Sequence, residues 1–170
     1  MKGSPLRYVI DANILIDLRN GNLLSHFFGL NVHLSTPDVV VEEISGSLRA
    51  LPQQYELRVE ELSGELVTDA MDLRDRHRCL SVPDAFVLVL AKDIGCPVLT
   101  GDRCMKKAAE EVGIPVHGIL WCLNRMLQEE VLEYQQAISA LEAIMQKNSR
   151  LPQAECQERL NDWRAHIHRA

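Results

Sequence analysis

The chain has 170 residues, 46% of them hydrophobic, with 18 Lys and Arg against 24 Asp and Glu for a formal net charge of -6. That length and apolar content suit one globular domain with a core of ordinary size. The acidic balance excludes a protein that coats nucleic acid through bulk positive charge, so a nucleic-acid substrate requires a local basic patch.

Leu6 to Ile10 is apolar, rich in β-favouring residues and ends at Asp11, which predicts a first strand buried on both faces, followed by a helix from Asn13 to Arg19. At the N-terminus Asp11 and Asn13 interrupt the apolar run that begins at Tyr8, so no stretch of signal-peptide length is expected there. Val32 to Leu34 reads as a second strand. Thr36 then reads as an N-cap, with Pro37 at the first helical position of a helix through Val40, Val41 and Ile44. Between Gln53 and Leu80 the residues are mostly charged with intermittent Leu, Val and Met, which predicts two short amphipathic helices broken near Ser63 and Gly64.

Ser81-Val82-Pro83-Asp84 opens a very apolar helix, AFVLVLAKDI, that closes at Gly95 and must be largely buried. Pro97 to Thr100 predicts a short strand ending at Gly101 and Asp102; a helix from Arg103 to Val112 and a strand from Ile114 to His117 follow. This alternation implies an α/β fold with a parallel sheet, helices on its faces and right-handed crossovers. From Ile119 onward the pattern is helical, with Ile138, Leu141 and Met145 at helical spacing. A last helix after Leu151-Pro152 places Cys156, Leu160, Trp163 and Ile167 on one stripe. The longest apolar run, Ala85 to Ala91, is too short to span a bilayer. Five cysteines form no CxxC pair and read as buried free thiols, so a soluble protein of the reducing cytoplasm is the expectation.

Asp11, Glu43, Asp84 and Asp102 stand in the contexts YVIDAN, VVVEEI, SVPDAF and VLTGD. Asp11 and Asp102 each follow a predicted parallel strand, and α/β sheets bind ligands beyond the carboxyl ends of their strands. Asp84 in the first turn of its helix and Glu43 on its own helix lean over that edge. Several carboxylates in one cleft repel each other unless a cation neutralises them, and Mg²⁺ or Mn²⁺ takes such oxygen ligands while leaving room for phosphate oxygens. Each acid also has a plainer reading. Ser81-x-x-Asp84 is a capping-box pattern, Asp102 stands where it caps the next helix, and Glu43 fits a solvated surface. Arg103, Lys106 and Lys107 on the helix after Asp102 read either as phosphate contacts or as a solvated face.

These segments, VIDANILIDL, TPDVVVEEI, SVPDAFVLVLAKDIGCPVLTGD and GIPVHGILWCL, resemble PIN-domain ribonucleases, especially VapC-type toxins of type II toxin-antitoxin systems, over roughly Tyr8 to Leu127. The resemblance implies a PIN-like α/β/α nuclease domain over residues 1–130 and a helical C-terminal extension over 131–170. It also implies that Asp11, Glu43, Asp84 and Asp102 bind metal and catalyse, with Asn13 and Thr100 hydrogen-bonding behind them. Glu42 adjoins Glu43; the latter is favoured because it directly precedes Ile44. A Mg²⁺-dependent endoribonuclease, a homodimer and a small antitoxin partner are the implied activity and assembly. Two other classes stand beside it: a haloacid-dehalogenase-type phosphatase, weakened by Asn13 where a second Asp is needed, and a non-catalytic protein-binding module.

Overall fold

The computed structural model describes residues 6–169. By their internal contacts the described residues divide into two compact units, one of residues 6–15 and 31–118 and one of residues 16–30 and 119–169.

The first unit is an α/β sheet domain. Its strands are β1 (Leu6–Ile10), β2 (Val32–Pro37), β3 (Leu57–Glu60), β4 (Val98–Leu99) and β5 (Val116–His117). They pair in parallel in the order β3-β2-β1-β4-β5. Val9 and Ile10 of β1 face Val98 and Leu99 of β4, and all four are fully buried, as expected for central strands covered on both faces. Helix α3 (Asp38–Glu43) follows β2, α4 (Leu51–Gln54) leads into β3, α5 (Gly64–Arg76) and α6 (Val82–Ile94) lie between β3 and β4, and α7 (Arg103–Glu111) lies between β4 and β5. Helix α6 is buried continuously from Ala85 to Ala91 and packs against β1, β2 and α5, which explains why its sequence is apolar all round. Gly95, with φ of 73°, takes the left-handed turn that ends this helix and starts β4.

Two sequence expectations need correction here. Residues 57–60 form a strand, not part of a helix. β3 is an edge strand whose Leu57 is buried while Val59 is 42% exposed, so its alternating charges fit a half-wet edge but hide the strand from a search for apolar runs. That missed partner also shifts the next boundary. Thr36 and Pro37 remain in β2, opposite Val59 and Glu60, and the helix begins only at Asp38 with extended Pro37 before it. Glu43 is the last residue of α3.

The second unit is helical. It contains the C-terminal part of α1 (Ala12–Asn20), then α2 (Leu24–Phe28), α8 (Ile119–Gln128), α9 (Tyr134–Lys147) and α10 (Gln153–Arg169). Helix α8 packs on α2 and α9, and α9 packs on α10, where Tyr134 stacks on His166 with ring centroids 4.0 Å apart. Cys156, Leu160 and Trp163 are buried as their spacing predicts, but Ile167 in the last turn is 37% exposed. On α9 Ile144 rather than Met145 takes the buried position. Asp17, 3% exposed, is held by the Asn148 side-chain amide at 3.0 and 3.1 Å; burial lifts its pKa from 3.8 to about 6 against that hydrogen bond.

Candidate acidic site at the sheet edge

Strands β1 and β4 are neighbours in mid-sheet, and the chain leaves them in opposite directions, from β1 toward β2 and from β4 toward β5. Such a reversal of strand order opens a crevice beyond the carboxyl ends of the two strands. Asp11 directly follows β1, and Thr100, Gly101 and Asp102 directly follow β4. The ladder fixes their level: the Asp11 backbone N–H donates to the Leu99 carbonyl at 3.0 Å, and that of Thr100 to the His117 carbonyl at 3.0 Å. Thr36, fully buried at the end of β2, adds a third tie by donating to the Ile10 carbonyl at 2.9 Å.

Asp11 is the centre of a hydrogen-bond cage. Its Oδ1 accepts from the Ala12 N–H at 2.7 Å, and its Oδ2 accepts from Asn13 Nδ2 at 2.6 Å and from Thr100 Oγ1 at 2.9 Å. Asn13 also accepts from the Gly101 N–H at 3.0 Å, so one side chain clamps the end of β1 to the turn after β4. Thr100 Oγ1 in turn accepts from the Asp102 N–H at 3.1 Å. Asp11 is 5% exposed. Burial raises its pKa from 3.8 to about 7, the Thr100 hydrogen bond opposes this, and the negative charges of Asp84 and Asp102 raise it further.

Asp84 and Asp102 fulfil the capping roles that their sequence contexts suggest. Asp84 Oδ2 accepts from the Ser81 N–H at 2.8 Å while Ser81 Oγ accepts from the Asp84 N–H at 3.2 Å, a reciprocal capping box. Asp102 Oδ1 caps α7 by accepting from the Met105 N–H at 2.9 Å. Capping does not exclude a second role, because these bonds engage one carboxylate oxygen each. Glu43 is exposed, with its pKa raised by partial burial and by the charge of Asp84. The four acids thus form an electrostatic series, with Asp11 sensing Asp84 and Asp102, and Glu43 sensing Asp84.

That series is not a closed shell. Among the described residues no three carboxylate, imidazole or thiol groups stand together as an ion-holding group. The hydrogen bonds give the reason, since both oxygens of Asp11 are engaged locally and one oxygen each of Asp84 and Asp102 is turned to its own helix. The chemistry of the donor set still fits a hard dication. Every donor is a carboxylate oxygen, and among the described residues Asp84 Oδ1, Asp102 Oδ2 and both Glu43 oxygens accept no hydrogen bond and no cationic side chain pairs with the buried Asp11.

Arg103, Lys106 and Lys107 are exposed on α7, directly beyond Asp102. At the end of α5 His77 pairs with Glu111 at 3.0 Å, and Arg76 donates to the Asp72 carbonyl of its own helix at 3.4 Å. The expectation of five free thiols is corrected for two of them. Cys79, exposed, and Cys104, partly exposed, form a disulfide with Cα atoms 6.1 Å apart, whereas Cys96, Cys122 and Cys156 are free and buried. No CxxC spacing marks this pair, because only the packing of α7 beside the loop before α6 brings the two together. Sequence reasoning also overlooked Thr36, whose Thr-Pro context looked like a helix start.

An all-parallel sheet with a buried acid at its switch point and capped acids on both flanks defines an α/β protein with an acidic edge site. The family model of the PIN domain matches residues 7–165, and the chain belongs to that family, a class typically of nucleases. Comparison with curated proteins returns no match.

Proposed function

We propose that the chain is a divalent-cation-dependent endoribonuclease and the toxin component of a type II toxin-antitoxin pair. The observation that carries the reading is Asp11: a carboxylate at the sheet's switch point, buried, caged by Asn13 and Thr100, and crowded electrostatically by Asp84 and Asp102. A nuclease-type family gives that arrangement a use. Asp11, Asp84, Asp102 and Glu43 would hold Mg²⁺ or Mn²⁺. Such an ion neutralises phosphate charge and makes a bound water a better nucleophile.

The protein's own contributions follow from its geometry. Asn13 and Thr100 keep the Asp11 carboxylate in one orientation, which limits the reorganisation needed when a phosphate arrives. Arg103 and Lys107, at i and i+4 on α7, offer exposed cations to the RNA backbone next to Asp102, with Lys106 beside them. Their local charge serves a chain whose net charge of -6 gives no general attraction to RNA. The phosphatase alternative loses support because Asn13 is committed to Asp11, Thr100 and Gly101 and is no general acid. A small antitoxin and a second copy of the chain are the proposed protein partners.

The test is cleavage of a mixed pool of single-stranded and hairpin RNAs. The wild-type chain is expected to cut with Mg²⁺ or Mn²⁺ and to stop in excess chelator, and Asp102→Asn is expected to be inactive. Full activity in chelator, or in Asp102→Asn, would overturn the reading.

A further inference from the structure

The Cys79–Cys104 bond joins the two turns that present acids to the site. Cys79 lies in the short connection between His77, which ends α5, and Ser81, the N-cap whose capping box fixes Asp84. Cys104 is the second residue of α7, two residues after the cap Asp102. One covalent bond therefore ties the connection that leads into the N-cap of α6 to the first turn of α7, which Asp102 caps.

The rest of α7 is held by other means. Met105, Ala108 and Ala109 are fully buried in the core, and Glu111 at the far end pairs with His77. Loss of the disulfide removes the tie between the 77–81 connection and the first turn of α7 while these other contacts keep the helix on the core. Access favours this pair as well. Cys79 is exposed and Cys104 partly so, whereas Cys96, Cys122 and Cys156 are buried beyond the reach of a reductant.

We propose that Cys79–Cys104 is a thiol–disulfide exchange site through which an external dithiol sets how firmly Asp84 and Asp102 are placed, and hence how tightly the site holds a divalent cation. The inference rests on the reading that these acids hold such an ion. In the exchange, a thiolate of the dithiol attacks the exposed Cys79 sulfur, the S–S bond breaks and Cys104 leaves as a thiolate that takes up a proton. The second thiol of the reductant then attacks the mixed disulfide, closes the reductant's own disulfide and releases Cys79 as a thiol. The protein gains two electrons and two protons, and the dithiol loses them.

The experiment compares the full-length chain oxidised in air with the same chain reduced by dithiothreitol. Three measurements are made: alkylatable thiols after unfolding, amide exchange over residues 77–84 and 101–107, and Mn²⁺ affinity by titration calorimetry. The oxidised chain should show three thiols and the reduced chain five, as the bonded pair and the three free cysteines require. Reduction should speed exchange in those two segments and weaken Mn²⁺ by about tenfold, the low end of what loosening groups that support metal ligands costs. Cys104→Ser should match the reduced form with or without dithiol, and reoxidation of the wild type should restore tight binding. Five thiols in the air-oxidised chain, or equal Mn²⁺ affinity in the two forms, overturns the redox coupling alone. Absence of Mn²⁺ binding in both forms overturns the cation reading together with it.

Discussion

Replacing Asp11 with Asn removes a titration that the folded chain displaces far from its ordinary range. The carboxyl has its usual pKa of 3.8 when unfolded and about 7 when folded, chiefly through burial. Between those values the native state binds a proton that the unfolded state does not, so stability is greatest below pH 3.8 and is lost as pH rises toward 7. At about 1.4 kcal/mol for each pH unit by which the titration is displaced, the whole loss is about 4 kcal/mol. Three other groups act nearby, one of them Glu43, raised by partial burial and by the charge of Asp84 and so of the same sign. Asp17, raised to about 6, has the same sign but stops contributing near that value. His117, lowered by burial, has the opposite sign. Above pH 6 the Asp11 part amounts to about 1 kcal/mol. Urea melts of the cation-free wild type and Asp11→Asn, taken from pH 5 to 8, isolate it by difference. The variant should slope down less than the wild type, above all between pH 6 and 7, and Mn²⁺ should restore wild-type stability at pH 8 while leaving the variant unchanged. Identical slopes for the two proteins would refute the claim that Asp11 is the displaced titration.

Three further outcomes follow from the packing. The double variant Cys79→Ser, Cys104→Ser opens a loop closed at a sequence separation of 25, which by loop entropy costs about 3.5 kcal/mol and lowers Tm by roughly 7 to 14 °C in calorimetry. Ser81→Ala deletes the acceptor for the Asp84 N–H and should cost about 1 kcal/mol in urea melts, with RNA cleavage reduced rather than abolished because Asp84 keeps its bond to the residue 81 N–H. Asn148→Ala strips the buried Asp17 of its amide donor, which should cost about 1 to 3 kcal/mol at pH 8 and less near pH 5, where Asp17 is protonated; chemical-shift titration should place its pKa above the native value of about 6.

The parts of the fold that were legible in the sequence are those where local signals agree with burial. The run ending at Asp11 is apolar because β1 is covered on both faces, and Ser81-x-x-Asp84 with Gly95 brackets α6 because caps act through neighbouring backbone groups. β3 was hidden because an edge strand carries charges on its wet side, and its absence from the reading displaced the start of α3. The candidate acids were visible one by one, each in a recognisable strand-end or helix-start context. That they share one edge and repel each other was expected from the strand-end pattern, but which acid senses which was not, since that depends on β1 and β4 lying side by side despite the long chain between them. The disulfide was illegible for the same reason. Its partners carry no spacing signal, and all five cysteines read alike as buried free thiols.

Mn²⁺ titrated into the purified wild-type chain and into Asp11→Asn at pH 8 probes the acidic site directly. Saturable binding to the wild type that vanishes in a folded Asp11→Asn is the expected result. Saturable binding of equal strength to both proteins, or none to the wild type, would contradict the view that this carboxylate cluster is built around a cation.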